Sequence, residues 1–221
     1  MQAARAAVRT ASPTRAAAIP GAPVPGMSTG PRVVLFARYP EPGRAKTRLI
    51  PALGAAGAAT LHRRLTERAL AVARAAGLPV ELRYTGAGED AFRAWLGPEL
   101  ALVAQGEGDL GARMAAATVE TPVILVGTDL PDLGPHHLRA AADAIGGAPA
   151  AIGPAEDGGY WLIALRTPMP DLFAPLDWGT DRVFAATMGR FAALGVLPAV
   201  LDRLADLDRP EDLARWPELT A

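Results

Sequence analysis

The sequence contains no cysteine. Disulfide scaffolds, thiol nucleophiles, zinc–cysteine sites and iron–sulfur clusters are excluded together. Histidine is scarce: His62, His136 and His137 are the whole supply. That is too little for a histidine-rich metal centre and a poor basis for a Ser-His-Asp triad. No apolar run approaches the roughly 18 residues needed to span a bilayer, and the longest, such as 122–126, are strand-sized. Asparagine is absent, alanine numbers 48, and 21 of the 22 basic residues are arginine. This looks like a GC-rich coding bias that replaces lysine wherever chemistry permits, so the single lysine, Lys46, stands out. A net charge of −1 provides no bulk basic field for nucleic acid.

What is present suits one soluble domain. The 221 residues are half hydrophobic and one-fifth charged, enough for a full core. Residues 1–30 differ. They carry Arg5, Arg9 and Arg15, no acid and several prolines, a composition that buries too little apolar surface to fold. A disordered tail, or an extension upstream of a true start at Met27, fits better than a targeting peptide, and no apolar signal-peptide segment follows the charges. The folded domain is expected over 31–221, and a cytoplasmic location with it.

From residue 31 short apolar runs alternate with longer amphipathic ones. Strands are expected at 32–37, 80–85, 100–104, 123–127, 150–153, 160–165 and 197–201. Helices are expected at 55–76, 90–96, 110–119, 135–145, 181–194 and 210–216. Pro135 and Pro210 suit a first helical turn, Gly77 suits a helix end, and Thr180 or Asp181 suits an N-cap. Such alternation implies βαβ units, hence a three-layer α/β/α sandwich on a mostly parallel sheet. Ligands bind at the carboxyl ends of such strands, so the loops after strands matter most.

The first of these loops holds Arg38, Gly43, Arg44, Lys46 and Arg48. Arginine forks and one compact ammonium after a first strand suit a polyphosphate, though Ala45 and Pro40 exclude a Walker A loop. The loop QGEGDLGARM (105–114) follows the third strand. Its glycines allow close backbone approach, and Gln105 offers a donor and an acceptor to a base edge; Asp109 is alternatively a helix cap. The most apolar strand delivers GTDLPDL (127–133). A carboxylate there, Asp129, suits Mg²⁺ or Mn²⁺ against a diphosphate, whereas Asp132 suits a cap for the helix at Pro135. GPAEDGGY (153–160) presents Glu156 and Asp157 beside a tight turn, WGT (178–180) presents a tryptophan, and DLDRPEDL (206–213) brings Asp208 after the last strand, as a second metal carboxylate or a helix cap. GAGEDA (86–91) mimics a dinucleotide fingerprint, but Glu89 and Asp90 oppose a pyrophosphate, so it is expected to be a plain turn.

Taken in order, PEPGRAKTRL (40–49), GDLGARM (108–114), GTDLPDL, GPAEDGGY, WGT and DLDRPEDL resemble a bacterial glycosyltransferase-like family. It is the arsenosugar-biosynthesis glycosyltransferase type, similar to 2-phospho-lactate guanylyltransferases, with the GT-A nucleotide-diphospho-sugar transferase fold. The resemblance covers about residues 32–216. It implies that Arg44, Lys46 and Arg48 hold phosphates and that Gln105, Gly108 and Asp109 lie by the nucleobase. It further implies that Asp129 binds the metal with Asp208 as second carboxylate, and that Glu156, Asp157 and Gly158 lie on the acceptor side. Pro131 departs from an Asp-any-Asp signature. The expected activity is metal-assisted glycosyl transfer from a nucleotide-sugar to a small acceptor, in a monomer or homodimer. Nucleotidylyl transfer from an NTP to a phosphorylated molecule is the alternative, which the four clustered cations favour. A non-catalytic nucleotide-binding protein is the third reading.

Overall fold

The computed structural model describes residues 30–219. The expected tail at 1–30 lies, apart from Gly30, outside them.

Seven strands form one sheet in the order β3-β2-β1-β4-β6-β5-β7. β1 (Arg32–Arg38), β2 (Val80–Thr85), β3 (Ala101–Ala104) and β4 (Val123–Val126) pair in parallel. β5 (Ala150–Pro154) and β6 (Tyr160–Leu165) are antiparallel to each other, and β6 is antiparallel to β4. The reason is connection length: β5 and β6 are joined by five residues, which close a hairpin but cannot cross over. β7 is only Ala199–Val200, parallel to β5. The longer strand expected at 197–201 is cut short by Pro198, which donates nothing to a ladder and suits a sheet edge.

Strand side chains alternate between two helical layers, as the period of two demands. Val33, Leu35, Ile124, Val126, Leu162 and Ala164 pack towards α1 (Ile50–Ala75), α2 (Glu89–Leu96) and α4 (Pro135–Gly147). Val34, Leu125, Ile152 and Ile163 pack with Met114 of α3 (Leu110–Ala117) and Phe191 of α5 (Val183–Ala193). The α/β/α sandwich is thus present.

α1 buries Ala58, Leu61, Leu65 and Ala69 at helical spacing. Its first turn is interrupted at Gly54 (φ 69°), and its end is marked by Gly77 in the left-handed region. Three expected caps are replaced. α5 starts at Val183, and Thr180 Oγ1 donates to the Asp177 carbonyl instead. Asp132 accepts the Trp216 indole N–H, while α4 is closed by His137 Nδ1 accepting from Gly134 N–H. Asp208 does not cap the C-terminal segment: Asp212 accepts the backbone N–H groups of Asp208 and Arg209. That segment, Pro210–Arg215, is a 3-10 turn rather than an α-helix, bounded by Pro210 and Pro217.

Candidate active site

β1 and β4 are neighbours, but the chain leaves β1 towards β2 on one side and leaves β4 towards β5, past the place of β6, on the other. This is the switch point at which open α/β sheets bind ligands. Two loops meet there.

The loop after β1 positions Lys46. It is the only described non-glycine residue with positive φ (46°), a conformation that costs on the order of 1 kcal/mol. A 3-10 turn, Thr47–Leu49, anchored by buried Leu49 holds it there. Its side chain is 6% exposed, and Nζ lies 3.2 Å from Asp129 Oδ2 and 3.3 Å from Asp208 Oδ1. Burial works against the ammonium charge, but the two carboxylates prevail and raise its pKa above the ordinary value.

The loop after β4 positions Asp129. A Cβ at Gly127 would lie 2.9 Å from Asp129 Oδ1, so glycine lets this carboxylate fold back over the strand end. The Asp129 carbonyl accepts the Leu207 N–H at 2.9 Å, docking the C-terminal segment alongside. Ala205 and Leu207 bury against Leu61 and Leu65 of α1. The alternate residues Asp206 and Asp208 therefore face the site. Asp208 also pairs with Arg48. Burial pushes the Asp208 carboxyl up, yet Lys46 and Arg48 bring it below the usual range. Asp206 has the opposite balance: burial, then Asp129 and Asp157, push its carboxyl up to about 6.

These groups rim a cavity of about 340 Å³. Arg48, Asp129, Asp157, Asp206 and Asp208 form its charged mouth. With Lys46 behind them, four carboxylates face two cations, an excess of two negative charges. An outer cavity of about 680 Å³ shares Arg48, Asp157, Asp206 and Asp208 and adds Glu156, Arg209 and Arg215.

The remaining anticipated residues are dispersed. Arg44 is exposed and reaches Glu41 at 3.5 Å. Arg38 is exposed at the end of β1, and Gly43 turns the loop with φ 82°. Gln105 is buried, donating to the Ala37 and Arg83 carbonyls and accepting from Arg113. Both its N–H donors are committed to strands β1 and β2. Gly108 turns with φ 92°, and Asp109 caps α3 by accepting the Ala112 N–H. Glu156 is exposed and bonded to Arg215, which holds its carboxyl below the usual range. Asp157 lies at both cavities and accepts the Gly159 N–H at 2.8 Å.

Three residues of the site region carry weight that the sequence reading did not assign. Asp206 belonged to a noted motif without a role, although alternation with Ala205 and Leu207 signals its direction. Trp178 lines the inner cavity. His62, on the buried face of α1, contacts the Arg38 carbonyl through Nε2 at 2.9 Å and so ties α1 to the end of β1. Burial pushes its pKa down, keeping it neutral beside Lys46. No distinctive sequence signal marks it.

A charged switch-point site on this sandwich defines the class: a Rossmann-like fold of the GT-A, nucleotide-diphospho-sugar transferase type. Residues 67–180, just over half of the chain, match the family described as "Uncharacterized protein conserved in bacteria (DUF2064)", and the chain belongs to that family. Among solved structures, a "putative nucleotide-diphospho-sugar transferase" from Desulfovibrio desulfuricans G20 is 30% identical, with TM-score 0.79 over 85% of this chain and 87% of that one. Two more distant structures share the fold. The manganese complex of Rv0371c from Mycobacterium tuberculosis is 22% identical, with TM-score 0.51 over 86% of this chain and 99% of that one. The inositol-1-phosphate CTP transferase from T. maritima is 15% identical, with TM-score 0.56 over 88% and 96%. No curated protein matches the chain in sequence.

Proposed function

We propose that the protein is a transferase acting on a nucleotide-activated donor, and specifically a glycosyltransferase that uses a nucleotide-sugar. The observation that carries this reading is the Lys46–Asp129–Asp208 constellation at the switch point, with Asp157 across the same cavity mouth. Lys46 and Arg48 hold the diphosphate oxygens of the donor. The acceptor hydroxyl attacks the sugar's anomeric carbon and its proton passes to the Asp157 carboxylate. The anomeric carbon–oxygen bond breaks, and the electron pair leaves with the nucleoside diphosphate, whose growing charge the two cations stabilise. Glu156, held by Arg215, shapes the acceptor side.

A divalent cation fits the chemistry of the donor set. The acids are hard oxygen ligands, and their excess of two negative charges matches one such ion. Among the described residues no three His, Asp or Glu side chains form a ready cage, and Lys46 already pairs with both Asp129 and Asp208. Asp129 and Asp208, with Asp206 alongside, would hold Mg²⁺ or Mn²⁺ together with the diphosphate, and the ion would supply charge neutralisation for the leaving group.

Nucleotidylyl transfer remains the second reading because it suits a dense cation cluster. Of the four cations in the loop after β1, only Lys46 and Arg48 converge on the site, however, which suits a diphosphate, and the acid-rich mouth disfavours a phosphorylated acceptor. Calorimetry on the full chain tests both, with UDP-sugars, GDP-sugars and the four NTPs, each with Mg²⁺, Mn²⁺ or EDTA. Tighter, metal-dependent binding of one nucleotide-sugar over the matching NTP is expected, and Asp129→Asn should abolish the metal dependence in a folded protein. Preference for an NTP would establish the second reading. Binding of neither class would overturn the nucleotide readings, catalytic and non-catalytic alike.

A further inference from the structure

The inner cavity has two unlike halves. Its mouth is charged, but its floor is Phe36, Leu110, Met114, Tyr160, Trp178 and Val183. Leu110, at the first position of α3, is 44% exposed, a large apolar side chain with little of the protein packed on it. The Trp178 indole N–H is buried without an acceptor. The Tyr160 hydroxyl reaches only the Met114 sulfur, at 3.8 Å, a weak acceptor. The floor therefore offers apolar surface and one under-used donor, the Tyr160 hydroxyl, with no charge among its side chains; the Trp178 N–H is sealed against Gly111.

The wall is built for this. A Cβ at Gly111 would lie 2.9 Å from Trp178 Cζ2 and 2.5 Å from the Phe173 carbonyl, so glycine is what lets the indole lie against α3. Gly158 is pressed equally closely on Asp181, and its carbonyl accepts the Phe184 N–H at 2.9 Å. These contacts bind the Trp178 segment to the Asp157 turn, so chamber and acid are one unit.

Two occupants can be weighed. A nucleobase presents several donors and acceptors along one edge, and this floor would leave most of them buried and unpaired, which is costly. A neutral alcohol with a flat apolar ring and one ether or carbonyl oxygen would satisfy the Tyr160 hydroxyl and bury its ring. Resting on the transferase reading above, we infer that the chamber is the acceptor subsite and that the acceptor is a neutral, ring-bearing alcohol whose hydroxyl emerges at Asp157.

Ligand-observed saturation-transfer NMR on the full chain tests this with 4-methoxybenzyl alcohol, glycerol and glycerol 1-phosphate as probes, alone and with UDP, GDP, CDP and ADP. The aromatic alcohol should bind, stay bound beside a saturating nucleotide, and lose at least tenfold in affinity in Leu110→Asp. That variant places a carboxylate at an exposed helix start, where folding tolerates it. Tighter binding of glycerol 1-phosphate, displacement of the alcohol by a nucleoside diphosphate, or an unaffected Leu110→Asp would each overturn the inference. The nucleotide arm reads separately: absence of all nucleotide binding condemns the transferase reading, whereas nucleotide binding without alcohol binding condemns only the acceptor assignment.

Discussion

The two halves of the sheet deliver functional groups differently. In the parallel half, β1 and β4 each end in a loop that carries its residue directly to the switch point: Lys46 after β1, Asp129 after β4. In the mixed half, β6 runs backwards, β7 has two residues, and the useful groups arrive on irregular backbone. Asp206 and Asp208 are brought in by a segment stapled to α1 and to the Asp129 carbonyl, and Trp178 by a loop pressed on Gly158. A parallel strand aims its own loop, whereas an irregular segment must be held by contacts elsewhere. Substitutions in the first half should thus affect binding, and substitutions in the second should affect stability as well.

The largest effect on binding is expected at Lys46. Lys46→Met removes a charged partner of the diphosphate, worth about 2–3 kcal/mol or roughly a hundredfold in nucleotide affinity. The same change frees Asp129 and Asp208 from their internal cation, so Mn²⁺ alone should bind more tightly than to the wild type. Calorimetry with nucleotide and with Mn²⁺ separately reads the two signs. Weaker binding of both would show that the ammonium and the ion do not share these carboxylates.

Next comes the staple of the mixed half. Gly158 has φ 88°, and a Cβ there would lie 2.2 Å from the Asp181 carbonyl oxygen and 2.6 Å from its Cα. Gly158→Ala should lower stability by about 3 kcal/mol, combining overpacking with backbone strain. Gly179, at φ 82°, has open space around it, and Gly179→Ala should cost only about 1 kcal/mol. Urea midpoints for the pair separate close approach from backbone strain, and equal losses would refute the packing argument.

Asp206 gives a pH signature. Its carboxyl is raised to about 6 in the fold against about 4 in an unfolded chain. The protonated form is favoured by folding, so its contribution is full below pH 4 and is lost as the pH rises through 6. Without metal, Asp206→Asn should be more stable than wild type at pH 7–8 by roughly 1 kcal/mol, after allowance for solvent screening, and the gap should close below pH 4. Added Mn²⁺ should stabilise the wild type more than the variant. Thermal melts across pH, with and without Mn²⁺, provide the check.

Most strands and helices were legible because their patterns were plain: the short apolar run within Arg32–Arg38 marks a strand buried on both faces, and helical spacing along α1 follows from burial of one face. Lys46 and Asp129 were legible because loops after parallel strands converge. What escaped depends on contacts distant in sequence. Nothing local in Thr180, Asp132 or Asp208 shows that another partner will replace the cap each could form. Nothing in Trp178 shows that Gly111 lies beneath it. The reversal of β6 was implicit in the five residues joining it to β5, which are too few for a crossover.

The smallest effect on binding concerns Gln105, in the parallel half but not at its switch point. Its amide joins β1 to β2 through the Ala37 and Arg83 carbonyls, with Arg113 on its oxygen. A residue so engaged stabilises the strand ends that position the β1 loop. Gln105→Leu keeps the size and loses the bonds, so it should cost about 1–2 kcal/mol of stability and leave the order of preference among UDP-, GDP-, CDP- and ADP-linked ligands unchanged. If that order changes while the urea midpoint does not, the amide is reading a base, and the parallel half contributes to recognition through a buried side chain as well as through its loops.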